Sequence, residues 1–257
     1  MNRTASANRA AHRVALTGSV ALFLACSGAD SGEPLPRDIL KKADEARGNI
    51  GGVMWDVSVL AVEDGATNSR TLNVKARGFD ISARILSPPK SKGQVLLMLD
   101  GNMWFYKPEL SKPVPVSQRQ KLIGRASNGD IASTNYAEDY DISSQTNDTV
   151  NGENCWLFDL RAKSKHTTYD RIVYWVSVPQ GVGVKADYYT VSGKIQKSAD
   201  MAYTNTVVLA DGIARPFISK MTIMDRLTSE DTTTLSFSPP VVQPVLPYVF
   251  DLNLLGK

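Results

Sequence analysis

Within seven residues of one polar segment the chain carries Ser164, His166 and Asp170, the side-chain types of a hydrolytic triad. Acyl transfer by such groups needs a serine on a sharp elbow, with histidine and acid converging on it from separate elements. Lys163-Ser164-Lys165-His166-Thr167-Thr168 is a polar, turn-like stretch without an elbow, so no catalytic role is assigned there. A second concentration of titratable groups is acidic: Glu138, Asp139 and Asp141 lie together, with Asp130 upstream. Paired carboxylates can act as acid and base, or hold calcium through oxygen. This spacing matches no calcium loop and reads as a solvated charge cluster. Zinc is also excluded: His12 and His166 are the two histidines, and Cys155 sits in the apolar run Cys155-Trp156-Leu157-Phe158. A free thiol in such a run behaves as a small buried hydrophobe, and one histidine with one buried cysteine cannot complete a tetrahedral site. No phosphate-binding glycine loop or dinucleotide fingerprint is present. The residues therefore point to a protein without catalytic groups, metal or cofactor.

The thiol with the clearest chemistry is Cys26. Arg3, Arg9 and Arg13 precede it with no acid, followed by the largely apolar run from Val14 to Ala25. A cationic lead, a short apolar run and a small residue at the cut are the marks of a secretory leader. The run is too short for a spanning helix, which takes about 20 apolar residues. Leu24-Ala25-Cys26 resembles a bacterial lipobox, in which the thiol receives a diacylglycerol and becomes the mature N-terminus; Phe23 departs from the usual aliphatic residue three places ahead of the cysteine. The expected organisation is a leader over 1–25, a lipidated N-terminus and flexible tether over 26–35, and one domain over 36–257. With Cys26 acylated, Cys155 has no partner for a disulfide. His12 leaves with the leader.

Loss of the leader also removes the charge bias. The full chain has a formal net charge of +3, and without its three leader arginines it carries 26 basic against 26 acidic side chains. A neutral chain gives no electrostatic reason to invoke nucleic acid. A hydrophobic content of 42% is enough for a substantial core.

The elements that must position these residues are mostly strands. Pro36 to Ala46 reads as a helix, with proline in the first turn, Ile39, Leu40 and Ala43 on one side and Gly48 beyond the end. After Gly51-Gly52 the period changes to two: Val53, Trp55, Val57, Val59 and Ala61 alternate with polar residues. Glu63-Asp64-Gly65, Pro88-Pro89 and Asp100-Gly101 turn successive strands into a meander. From Lys107 to Tyr140 the pattern breaks into a long, partly helical insertion, of the kind that usually carries function. In it Ser117-Gln118-Arg119-Gln120-Lys121 reads as a solvated helix face or a partner-facing lid. Strand patterns resume over 155–161, 171–178, 185–191, 194–203, 205–209, 213–224 and 232–237. Ten or eleven antiparallel strands with helices at the start and middle make an α+β fold, and a meander of that length curls toward a barrel.

Three ordered segments carry a family resemblance. Asp100-Gly101-Asn102-Met103-Trp104-Phe105-Tyr106-Lys107-Pro108 leads to Ser117-Gln118-Arg119, and Asn128-Gly129-Asp130 leads to Asp139-Tyr140. The succession, with Pro247, Val249-Phe250 and Asn253-Leu254 at the end, resembles the LolA-like outer-membrane lipoprotein-sorting proteins. The resemblance runs from about Leu40 onward. It implies an open, strongly curved antiparallel half-barrel with helices across its concave face and a hydrophobic cavity for acyl chains between them. It also implies a non-enzymatic lipid or lipoprotein binder in the periplasm, anchored to the membrane through Cys26. Ser27 after the cysteine favours the outer membrane. An anchored member resembles an acceptor, or an accessory of an RND/MMPL-type exporter, more than a shuttle. On strand alternation, the cavity would be lined by Trp55, Val57, Val59 and Leu72, then Leu97, Leu99, Trp104 and Tyr106. Leu122 and Ile123 of the insertion and Tyr174 and Val176 of a later strand complete the expected lining. The alternative is an envelope interaction module that docks onto a partner protein with a filled core and no lipid cavity.

Overall fold

Proline fixes φ and lacks an N–H, which suits the first turn of a helix, where amides have no partner. In the computed structural model, which describes residues 34–226 and 231–255, α1 accordingly spans Pro36–Glu45 and buries Ile39, Leu40, Ala43 and Asp44. The expected leader, Cys26 and most of the tether lie outside the described residues.

The first meander comprises β1 (Val53–Glu63), β2 (Ala66–Arg77), β3 (Asp80–Ser87), β4 (Val95–Leu99) and β5 (Asn102–Tyr106). The insertion supplies β6 (Val114–Val116), β7 (Lys121–Ile123), β8 (Ala126–Ser127) and, after a helical turn at Asn128–Ile131, the short helix α2 (Tyr136–Asp139). A second meander follows: β9 (Tyr140–Val150), β10 (Glu153–Ala162), β11 (Arg171–Ser177), β12 (Gly183–Tyr189) and β13 (Ile195–Ala202). The hairpin of β14 (Asn205–Val208) and β15 (Ala214–Phe217) precedes β16 (Lys220–Asp225), β17 (Thr232–Phe237) and β18 (Val241–Val242).

Fourteen of these strands form one antiparallel sheet, ordered from β6 back to β1, then β17, β16, β13 and on to β9, with β18 beside β1. The β1–β17 pairing, from Val57 opposite Phe237 to Val62 opposite Thr232, joins the two meanders. The end strands β6 and β9 do not pair with each other, so the curled sheet stays open. The fold is the expected α+β half-barrel, with more strands than periodicity revealed. β9 went unread because its Ser, Thr, Asn and Gln residues are exposed on both faces, leaving no alternation. The stretch 213–224, expected as one strand, divides into β15 and β16 because β15 pairs with β14 in a separate ribbon.

The core occupies the inner, concave side, where Trp55, Val57, Leu72, Ile85, Met98 and Tyr174 share one buried cluster with Leu40 of α1. The insertion is pinned onto that side by a buried ion pair. Lys197 Nζ on β13 donates to Asp130 Oδ2 (2.9 Å), to the Arg125 carbonyl (2.7 Å) and to Ser127 Oγ (3.2 Å). Tyr169 donates its hydroxyl to Asp130 Oδ1 at 2.6 Å, and the Ser127 amide donates to Oδ2 at 2.7 Å. The pair is 4% and 3% exposed, so both charges are desolvated and fully bonded. At the tip of the β7–β8 hairpin, Gly124 has φ +55°, and a Cβ there would stand 2.4 Å from Ala61 Cβ. Only glycine lets the hairpin lie that close on β1.

Removing one member of a buried pair strands the other charge, so Asp130→Asn or Lys197→Met should each cost about 3–5 kcal/mol in urea unfolding. A loss under about 1 kcal/mol would place the pair among weak, solvent-screened ones.

Candidate functional site

The register decides which expected lining residues face inward. Trp55, Val57, Val59, Leu72, Tyr174 and Val176 belong to the inner cluster, as does Leu122, with Ile123 packed against it. On β4 the inward residues are Leu96 and Met98, opposite Phe105 and Met103 of β5. Leu97, Leu99, Trp104 and Tyr106 therefore face the outer surface, and Leu97 pairs there with Trp104. Val95 to Met98 are buried on both faces, so alternation carried no information about which side is concave.

The inward residues of β1 do not line open space; Trp55 is 3% exposed and meets the Phe217 ring edge-on at 5.5 Å. Open space lies farther along the concave face, between β2–β5 and the β7–β8 hairpin. This groove, about 440 Å³, has an apolar floor of Ile85, Leu96, Phe105, Val116 and Leu122 and a polar rim of Arg70, Gln94, Gln120, Lys121 and Asn128. Its volume is in the range of small-molecule sites, which combine an apolar lining with a few polar groups. On the rim, Arg70 NH1 donates to the Leu122 carbonyl at 3.2 Å, and Lys121 Nζ lies 2.8 Å from Glu63. Burial lowers the Arg70 pKa. Of the expected lining residues, Leu122 reaches the groove.

The segment 117–121 is a turn rather than a helix. The Gln118 amide donates to the Gly101 carbonyl (3.0 Å), while Arg119 donates through Nε to the Thr167 carbonyl (2.8 Å) and pairs with Asp170 (2.8 Å). Those bonds make it a brace for the groove wall. They also engage Asp170, while His166 stays exposed and donates its backbone amide to Ser164 Oγ, so the three triad-type residues do not converge. Among the acids, Glu138 is exposed near Lys41 and Arg37, whereas Asp130 is the buried partner of Lys197 and not part of a solvated cluster. Cys155 is a free, buried thiol with its pKa pushed up by burial. Among the described residues no cluster of His, Cys, Asp or Glu is arranged to hold a metal.

The cover over the core is latched through Asp44. Its Oδ2 accepts the Ala137 amide of α2 at 2.9 Å, while Asn49 donates to the Thr134 carbonyl (2.9 Å) and Asn135 Oδ1 (3.1 Å), and Arg37 donates to the Ala137 carbonyl. Burial pushes the Asp44 carboxyl up to about 6, against the lowering effect of the Ala137 bond. Sequence reading passed over Asp44, although it lies four residues after Leu40, on the apolar face of α1.

Comparisons with known proteins agree with this geometry. A family model described as "Uncharacterized protein" matches residues 80–257. A LolA superfamily protein from Nitrosomonas europaea is 27% identical, covers 87% of this chain and all of its own, and superposes with a TM-score of 0.76. A putative outer membrane lipoprotein-sorting protein domain from Vibrio parahaemolyticus shares the fold at 17% identity, covering 86% of this chain and 98% of its own, with a TM-score of 0.70. A DUF1329 family protein from Desulfovibrio piger does so at 19%, covering 85% and 97%, with a TM-score of 0.68. No curated protein matches the chain. The open half-barrel with a covered concave face defines a lipoprotein-sorting type of fold. The chain belongs to the family matched over residues 80–257 and is LolA-like.

Because the folded Asp44 pKa is about 6 against an ordinary 3.8, the folded state binds this proton more tightly than the unfolded chain. This group's contribution is most favourable below about pH 4 and declines as pH rises to about 6, by up to about 3 kcal/mol. Asp44→Asn should lack that decline in urea unfolding compared at pH 4 and pH 7; a slope equal to wild type would show that Asp44 does not titrate there.

Proposed function

We propose that the chain binds a lipid, or the acyl chains of a lipoprotein, in the concave groove, and works in lipoprotein or lipid sorting at the cell envelope. The observation that carries this reading is the 440 Å³ groove with its apolar floor and polar rim, set on the inner face of a LolA-like sheet. Each methylene removed from water contributes about 0.8 kcal/mol. A groove open along one side covers part of a chain and releases it more readily than a closed cavity. The rim donors suit the polar linkage at the chain's end. In this reading Cys26 carries the lipid anchor that holds the domain on the periplasmic face of the outer membrane, as an acceptor or as the accessory of an RND/MMPL-type exporter. The groove performs binding and release without covalent chemistry.

A second reading, a docking module for a partner protein, is favoured by one observation. Away from the groove the interior is filled: Phe158, Tyr174 and Tyr188 are fully buried, and the two small inner pockets hold about 20 Å³ each.

Native mass spectrometry of the gently purified protein should show a stoichiometric lipid that leaves on denaturation. Phe105→Glu on the groove floor should abolish its retention, while Trp104→Ala on the outer face should leave it. A clean apo mass with no lipid uptake would transfer the assignment to the docking module. Cys26→Ser should move the protein from the membrane to the soluble fraction on cell fractionation; unchanged membrane association would remove the anchor from the proposal.

A further inference from the structure

The outer face of the sheet, opposite the core, carries a trough of its own. After β18 the chain turns back over β3 and β4. A helical turn at Pro247–Phe250 anchors it there: Phe250 is buried, with the Arg77 guanidinium 4.6 Å above its ring. Beside this segment lies an open space of about 520 Å³. Outward residues of three strands make the floor, Asp56 of β1, Asn73 and Lys75 of β2 and Arg84 of β3, and the returning chain makes the wall. In the register Lys75 stands opposite Ser82 and Asn73 opposite Arg84, so the two cations are diagonal neighbours. Such a placement sets their Cβ atoms about 7–8 Å apart. Among the described residues neither has a carboxylate partner, whereas elsewhere on this sheet Arg77 and Arg171 are paired with Asp80 and Asp159 at 3.2 and 2.8 Å. Asp56 does not supply one. It accepts the Asn73 amide at 2.8 Å, and Asn73 stands between it and Arg84. Like charges side by side on one face repel, and an anion set between them would turn that repulsion into attraction.

We propose that this trough docks an acidic segment of a partner protein, its carboxylates over Lys75 and Arg84 and its aliphatic side chains against Leu86, Tyr248 and Leu254. Charge complementarity selects the occupant: bonds from an ammonium and a guanidinium to carboxylates are the strong kind. The apolar contribution comes from the trough's own margin, where Tyr248 is 60% exposed, Leu254 40% and Leu86 38%. Apolar side chains left in water around a polar centre mark a contact surface. A small-molecule site encloses most of its ligand, whereas here Arg84 and Tyr248 remain exposed. The trough therefore suits one side of a chain that continues past both its ends. It lies on the face opposite the β2–β5 groove and does not depend on the reading of that groove.

The test is selection of a random heptapeptide display library on the purified protein, followed by fluorescence anisotropy with the peptides recovered. These should be rich in Asp and Glu interspersed with Leu, Ile or Val. Lys75→Gln and Arg84→Gln change outward side chains, so thermal stability should stay at the wild-type value while each weakens peptide binding about fivefold, and the double variant more than tenfold. Affinity should also fall as salt is raised from about 50 to about 300 mM, as expected of exposed charges. Phe105→Glu on the concave face should leave peptide binding intact. Recovered peptides without acidic enrichment, or affinities that the double variant leaves unchanged, would overturn the assignment. So would cosedimentation with phosphatidylglycerol vesicles that is lost in the double variant while no peptide binds, because the partner of these cations would then be a membrane surface.

Discussion

The ion pair between Lys197 and Asp130 is the contact on which the covering layer depends. Taking two charges out of water costs several kcal/mol per ion, and the cost is offset only when every lone pair and proton is satisfied. Here the ammonium has three acceptors and the carboxylate takes bonds from the ammonium, a phenol and a backbone amide. Sliding the insertion by one residue would leave a bare charge in the core, so the β7–β8 hairpin has one position on the sheet. That position presents Leu122 to the groove and seats Gly124 against Ala61.

The two ends of the concave face consequently differ. Near the insertion the hairpin stands off β2–β5 and leaves a trough with a greasy floor. At the other end α1 lies down on the sheet, and aromatic side chains fill the space beneath, with Tyr169 stacked on Tyr188 and Tyr136 edge-on to Tyr174. Charge is distributed in the opposite sense: the groove floor is apolar, while the filled end holds Arg47 and Asp44 among buried tyrosines. Polar groups retained in a filled interior cost stability unless they are bonded, and Asp44 offsets that cost by accepting the Ala137 amide of the cover.

Much of this was legible in advance where one face of an element meets water. The helix at Pro36, the strand from Val53 and the hairpins at Asp64 and Asp100 follow from periodicity and turn chemistry, and they appear with nearly the expected limits. Legibility failed where that contrast vanished. β4 is apolar on both faces, so Leu97 and Leu99 could not be told from Leu96 and Met98. β9 is polar on both faces and gave no signal. Asp130 and Gln118 look like surface residues in the chain and are buried because their partners, Lys197 and the Gly101 carbonyl, arrive from elsewhere.

By itself, then, the order of residues determined the local elements and the LolA-like class, because each depends on side-chain type and on spacing over a few positions. Only the tertiary structure decided which sheet face is concave, where open volume remains, and which polar residues sit in the core. Those properties arise from contacts across long sequence separations, where pairing register and burial, not local pattern, set the free energy.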